Sequence, residues 1–460
     1  MQSSHAAVDV VFDDPNLIAD AGLVPVVALA EQVGLPELVA EHVAITDAVN
    51  SAGANPAAKV MSLLAGMIAG ADSIEDVDRL RHAGNPVVFS GIRAPSTLGT
   101  FLRGFTHGHV QQLNAVLRQA LIALAQRVPL LPGAQEVVFV DVDSTHRQVY
   151  GYAKQGAAVG RLKGKKTLHP LIATASTPIS RPVMVAIRLR KGKAADVRGA
   201  ARFLAEALRT VRVIAPTAQV VVRADSKFYT AEVAATAARY GADVSLTTGS
   251  NPSVNAAIGA IPDDGWRPVH YPHAFVDTET GELVSDAEVA QSAYTAFTSR
   301  PQAEQVAGRL IVRRVKRLNP TGQDGLFDLW RHHAVFVTSP FEMLQAEGQH
   351  RDHAIVEQVI ADAAASALAH LPSGSFAANA AWAVLWAIAH NLTRAVGVLA
   401  GTCHARATTA TIRAHLINVP ARLARSARRL TLHLPTPWPW QHAWEAMHAA
   451  VYRPPGHHAV

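Results

Sequence analysis

Cysteine is almost missing: Cys403 is the single one in the chain. A lone thiol excludes a disulfide framework and any cysteine-rich zinc module, and it suits a reducing compartment. Long hydrophobic runs are missing as well. The most apolar window, residues 380–389 (AAWAVLWAIA), falls short of the roughly 18 residues a membrane span needs, and His390, Asn391 and Arg394 follow it at once. A buried core helix is expected there, with no membrane partner. The opening stretch, MQSSHAAVDVVFDD, lacks the basic start and apolar run of a signal peptide, so a cytoplasmic location is expected. No internal repeat is visible.

Apolar material for a core is ample. The chain has 460 residues, of which 49% are hydrophobic and 17% charged, a balance that excludes disordered and fibrous classes. At roughly 100–200 residues per domain, two to four domains are expected. Lys and Arg number 42 against 36 Asp and Glu, a net charge of +6 that favours a polyanionic partner.

Residues 1–133 read as helical. Apolar positions recur at helical spacing over 23–43, with a break expected at Pro36, and again over 57–74. Ala94-Pro95-Ser96-Thr97 reads as a helix start with Ser or Thr as its cap, and Pro132-Gly133 closes the region. From 134 to 250 the texture changes. EVVFVDVD, HPLIATAS and PVMVAIRLR are β-rich runs, then QVVVRAD and ADVSLTT alternate with amphipathic helical stretches. Three meandering strands followed by alternating helix and strand predict an α/β core, a mixed sheet covered by helices.

Residues 251–330, rich in Pro and Gly between short alternating runs, read as a β-containing insertion. HHAVFVTS resumes the core over 331–400, which carries a long helical stretch at 342–370 and a buried helix at 376–400. Residues 401–460 form an Arg-rich tail, in which Leu430, Leu432 and Leu434 alternate as in a strand.

Three carboxylates stand out. Asp143, with Asp141 two residues before it on the same strand face, ends the first apolar run. Asp225 ends another, where open α/β sheets present ligand groups. Glu357 lies on the polar side of a helix that also carries His350 and His353. Each has a plainer reading: a capped turn for Asp141 and Asp143, a helix cap for Asp225, solvated surface for Glu357. Two strand-end aspartates in one sheet shift the balance, because converging carboxylates hold hard cations such as Mg²⁺. His350 and His353 invite a zinc reading, but no cysteine pair or HExxH pattern supports it.

Basic residues cluster. Residues 147–169 contain Arg147, Lys154, Arg161, Lys163, Lys165 and Lys166 and no acid. Residues 363–444 also lack acid, and carry Arg394, Arg406, Arg413, Arg422, Arg425, Arg428 and Arg429. A third run is Arg313, Arg314, Lys316 and Arg317. Three such runs around one acidic set suggest phosphate-backbone contacts beside a metal site; a solubilising surface is the alternative.

The segments DVDSTHRQVYGYAKQGA, LHPLIATAS, VVVRADSKF, HRDHAIVEQVIAD, HLPSGSFAANAAWAVLWAIAHNLTRA and RAPSTLGTFLRGFTHGHVQQLNAV, taken together, resemble bacterial insertion-sequence transposases of the DDE group. The branch they resemble is insertion-sequence family thirteen-eighty. The resemblance implies a ribonuclease-H-like catalytic core preceded by an all-helical domain that binds DNA ends. It implies Asp143, Asp225 and Glu357 as catalytic residues and ligands of two Mg²⁺ ions, with Mn²⁺ able to substitute. Double-stranded DNA (terminal inverted repeats and target) is the implied partner, and a homodimer on DNA the implied assembly.

Lys154, Arg161, Lys163, Lys165, Lys166, Arg351, Arg422, Arg425, Arg428 and Arg429 are the candidate DNA contacts. Related branches place a Tyr and an Arg seven and four residues before the Glu, and a Lys seven after. Here those positions hold His350, His353 and Ala364, with Arg351 as a candidate substitute. A hairpin route of excision would need an aromatic to hold a flipped base, for which Trp266 and Trp330 are candidates. Two rivals remain: a catalytically inactive transposase-derived DNA-binding protein, and a glycosyltransferase using Asp141 and Asp143 as an Asp-x-Asp motif, although no Gly-rich nucleotide loop accompanies it.

Overall fold

The computed structural model describes residues 8–46, 51–151, 153–160, 162, 164–276, 283–316 and 330–452. The chain divides into two compact units, one of residues 117–364 and one of residues 1–116 with 365–460.

In the continuous unit every expected strand forms: β1 (Val137–Ser144), β2 (Leu171–Ser176), β3 (Val183–Arg188), β4 (Gln219–Ala224) and β5 (Ala242–Thr247). β1, β2 and β3 make an antiparallel meander, while β4 lies parallel to β1 on its other side and β5 parallel to β4. Parallel neighbours need a crossover. The helix α1 (Ala200–Ile214) precedes β4, and α2 (Ala231–Arg239) carries the chain from β4 to β5. Phe203, Leu204, Ala207, Leu208 and Val211 recur at helical spacing and bury one face of α1. Central β1 is buried on both faces, which explains its nearly continuous apolar run.

The insertion proves to be part of the same sheet. Strands β6 (Arg267–Val276), β7 (Leu283–Ala296), β8 (Val306–Lys316) and β9 (Trp330–Val337) pair antiparallel in succession, and β9 pairs antiparallel with β5. The order across all nine strands is β6-β7-β8-β9-β5-β4-β1-β2-β3. The mixed α/β sheet with flanking helices is as expected.

The long helical stretch after β9 divides into α3 (Met343–Arg351), a tight 3₁₀ turn at Asp352–Ala354, and α4 (Ile355–Ala364). His353 lies in that break and meets Asp141 of β1.

The other unit is mainly helical. Helices Leu23–Gln32 and Leu35–His42 are separated at Gly34, whose φ of 72° is left-handed, so the break precedes Pro36, which sits in the first turn of the second helix. Helix Pro95–Arg103 has Ala94 as its cap with no side-chain bond, and Pro95 opens it instead of Ser96 or Thr97. Helix Phe376–Leu399 is long and apolar enough to cross a membrane, yet 89% of its most apolar window is buried within the protein. It packs against helices Pro56–Ala69, Pro95–Arg103 and Leu23–Gln32. Trp382 and Trp386 on it donate to Ala367 O at 2.7 Å and Ser366 Oγ at 2.8 Å. Strands Ala421–Ser426 and Arg429–His433 form a hairpin beside Leu17–Ile18, so that Leu430 and Leu432 of the tail lie in a strand.

Candidate active site

Strands β1 and β4 run parallel with Asp141 in register with Arg223, and Val142 with Ala224. One step further along, Asp143 and Asp225 end the two strands side by side. Because side chains alternate, Asp141 and Asp143 share a face, as do Arg223 and Asp225. The sequence therefore writes two layers onto one face: an ion pair, then a carboxylate pair at the rim.

In the inner layer, Arg223 and Asp141 are 1% and 0% exposed. Arg223 grips the carboxylate with a two-pronged fork, Nε to Oδ1 at 2.7 Å and Nη2 to Oδ2 at 2.8 Å. Its third arm, Nη1, donates to the carbonyl of Gln349 at 2.6 Å, and its plane lies 4.1 Å from the ring centre of Phe139. His353 Nδ1 donates to Asp141 Oδ1 at 2.8 Å. Burial alone would push the Asp141 carboxyl up, but Arg223 and His353 outweigh it and hold it below the usual carboxylate range. Both Asp141 oxygens are engaged and the residue is fully buried, so the Asp-x-Asp reading finds only one of its two carboxylates open.

His350 sits beside this layer over β5, its ring nitrogens 2.9 Å from Ser245 Oγ and 2.9 Å from Thr247 Oγ1. Burial, with the neighbouring His353 and Arg223, pulls its pKa down to about 3. The folded chain refuses a proton that the unfolded chain accepts below its ordinary value of 6.5, so the contribution of neutral His350 is complete above pH 6.5 and is lost as pH falls towards 3. His169, likewise held neutral by burial and by Arg190, moves to about 4 and acts in the same direction. The melting temperature is therefore expected to fall between pH 6.5 and 4. In His350→Gln the fall should be shallower, by up to about 1.4 kcal/mol of stability per pH unit. Equal slopes in calorimetry at several pH values would refute this role.

The outer layer holds the candidate catalytic pair. Asp143 accepts from the Ser144 amide at 2.6 Å. Burial pushes its carboxyl above the ordinary range, the Ser144 amide and His353 pull it back, and the nearby Asp225 carboxylate raises it again. Asp225 caps the 3₁₀ turn Ser226–Phe228, accepting from the Lys227 amide at 3.0 Å, and its Oδ2 lies 3.2 Å from Lys227 Nζ. The loop leaving Asp143 is anchored where Ser144 Oγ donates to Asp196 Oδ1 at 2.6 Å, and where His146 stacks on His169 with ring centres 4.0 Å apart.

Glu357 stands in the first turn of α4, exposed. α4 is held to the unit by Arg147, whose Nη2 donates to Ile360 O at 2.7 Å. A hard divalent cation suits the two aspartates, which offer only carboxylate oxygens and repel one another. Among the described residues, no three His, Cys, Asp or Glu side chains stand close enough together to hold one metal ion.

The candidate DNA contacts fall in several places. Lys165 and Lys166 are exposed and Lys154 is half-buried, next to a small sheet of Arg147–Gln148, Lys166–Leu168 and Ala158–Val159. Arg161 and Lys163, like Arg317, lie outside the described residues. Arg351 is exposed, 3.9 Å from Glu347. In the other unit, Arg425, Arg428 and Arg429 are exposed along the hairpin, while Arg422 meets Asp14 at 3.0 Å.

Several basic residues of those runs serve the fold. Arg394, buried, donates to the carbonyls of Ala407 and Ala405, and Arg413 to Ile68 O at 3.0 Å. Arg314 is stacked between Trp266 and Trp330, at 4.1 and 4.3 Å from their ring centres, and is paired with Glu288. One face of each tryptophan is thus taken by an arginine.

Arg223 escaped the sequence reading. Its signal was present: a guanidinium inside an apolar strand needs a carboxylate, and Asp141 has the same spacing to Asp143 as Arg223 has to Asp225.

No curated protein matches the chain by sequence. Among solved structures it is similar to the piggyBac transposase in a cryo-EM synaptic complex with hairpin DNA, at 10% identity and a TM-score of 0.42, over 86% of this chain and 80% of that one. A family model for the group 1 transposase DDE domain matches residues 1–455, nearly the whole length, and the chain therefore belongs to that family of transposases.

Proposed function

We propose that the protein cleaves the ends of its insertion sequence and joins them to target DNA, using Asp143, Asp225 and Glu357 on a ribonuclease-H-like core. The observation that carries this reading is the carboxylate pair: Asp143 and Asp225 end adjacent parallel strands, close enough for one to raise the other's pKa. Asp143, Asp225 and Glu357 would hold two Mg²⁺ ions, for which Mn²⁺ can substitute. Bound there, such ions supply an activated attacking oxygen and neutralise the leaving one.

The chain's own residues do the rest. Asp143, fixed by the Ser144 amide, and Asp225, fixed by its own turn, present oxygens in a set direction. Lys227 supplies the counter-charge of Asp225. Glu357 must reach over from α4 to complete the set. Because phosphoryl transfer depends on positioning and charge neutralisation, the fixed strand ends matter as much as the charges they carry.

Double-stranded DNA is the partner in this reading, with the helical 1–133 region recognising terminal repeats, the basic residues gripping phosphates, a homodimer holding two ends, and the work done in the cytoplasm. Lys165→Ala with Lys166→Ala is expected to lessen the slope of log affinity against log salt by about 0.9 for each phosphate that is no longer neutralised. Filter binding from low to moderate salt measures it, and an unchanged slope removes these lysines from the interface.

The reading itself is tested with duplexes carrying the repeats that flank the gene. Mg²⁺-dependent nicking at the repeat ends is the expected result. Binding without nicking, in Mg²⁺ and Mn²⁺ alike, would favour a catalytically inactive DNA-binding descendant. Neither binding nor nicking would overturn the proposal.

A further inference from the structure

We propose that His353 is a positioning residue which, through Asp141 and Arg223, fixes the helical turn from which Glu357 would reach towards the strand-end pair Asp143 and Asp225. The inference rests on the three-carboxylate reading above. His353 lies in the 3₁₀ turn that leads directly into α4, four residues before the exposed Glu357. His353 points inward, its side chain 15% exposed, and spends Nδ1 on Asp141. Arg223, gripping the same carboxylate, reaches the carbonyl of Gln349 on the preceding turn. The segment just before Glu357 is thus tied at two points to the pair of strands that carry the aspartates. His350 adds a third tie, to β5.

The chemistry of the tie is informative. A buried Asp–Arg pair contributes little net stability compared with apolar residues of the same shape. Its strength lies in geometry: a planar fork on a carboxylate accepts one arrangement. Glu357 needs such a device, because it comes from a helix rather than from the sheet that carries its partners. Arg147 restrains the helix near Ile360. The inner cluster restrains it immediately before Glu357.

The test uses the full-length chain. In His353→Ala, amide exchange across 355–364 should accelerate, with β1 and β4 unchanged. Nicking of repeat-end duplex at saturating Mg²⁺ and DNA should slow by about 10- to 100-fold, the scale of an ångström's misplacement. The KM for DNA should stay within about twofold, because a kcat-only loss marks an interaction used in the reaction and not in binding.

His353→Asn, which keeps a donor near the position of Nδ1, should restore both exchange and rate. Unchanged exchange and rate in His353→Ala would overturn the inference. So would an asparagine variant as slow as alanine with exchange like that of the wild type, since the ring would then act elsewhere. Asp225→Ala, run in parallel, separates the two levels. If it still nicks DNA, the three-carboxylate reading falls, and the tether stands or falls on the exchange data alone.

Discussion

Asp225→Ala is expected to slow strand cleavage by at least about a thousandfold, the scale seen when a group that stabilises developing charge is removed. DNA affinity should be unchanged or slightly raised. Asp225 ends β4 beside Asp143, with its side chain 35% exposed and Lys227 as its counter-charge. It supports no packing of its own beyond the turn it caps. Removing it subtracts negative charge from a surface meant to approach phosphates, so binding has nothing to lose. Asp143→Ala should be equally inactive. Initial nicking rates with repeat-end duplex in Mg²⁺, alongside band-shift affinities, decide the matter. Nicking by the variant at a rate comparable to wild type would remove Asp225 from the catalytic set.

The second large effect concerns stability. Asp141→Ala leaves the Arg223 guanidinium buried among β1, β4 and Phe139 without its carboxylate. An uncompensated buried charge costs about 3–5 kcal/mol, which for a unit of this size lowers the melting temperature by roughly 10 °C. The double variant Asp141→Leu/Arg223→Met should recover most of that loss, since an apolar pair of similar volume replaces the ions. Thermal unfolding of the wild type, the single variant and the double variant measures the coupling. A single variant that melts like the wild type would mean the cluster does not carry a buried charge pair.

The strands and the strand-end aspartates were legible because both follow from local pattern. Apolar runs of β-branched residues write buried strands, and Asp143 and Asp225 close two of them. Asp141 was legible as a residue but not as a role: only the register of β1 against β4 sets it opposite Arg223. His350 and His353 looked like the polar side of a helix. They turn inward instead: His350, near the end of α3, meets Ser245 and Thr247, and His353, in the 3₁₀ turn at 352–354, meets Asp141.

The basic runs were legible as charge and illegible as function. Arg394 and Arg413 spend their guanidinium groups on carbonyls, and Arg314 lies between two indoles, whereas Lys165, Arg428 and Arg429 are exposed. Counting charge along a chain cannot separate an arginine that finishes a helix end from one that meets a phosphate. The insertion showed the same limit. Its composition announced strands, while their continuity with β5 depends on pairing at long range.

That continuity has a consequence for anyone who would reduce the protein to its catalytic minimum. β5 is an interior strand only because β9 lies against it. Excising the insertion strands together with β9 would expose the unpaired amides and carbonyls of a strand that carries Val244 and Leu246 buried. A bare, apolar margin of that kind recruits other strands, and copies of the trimmed core would join edge to edge into aggregates. The insertion is therefore also the seal of the sheet, and a shortened protein would stay dispersed only if something else capped β5.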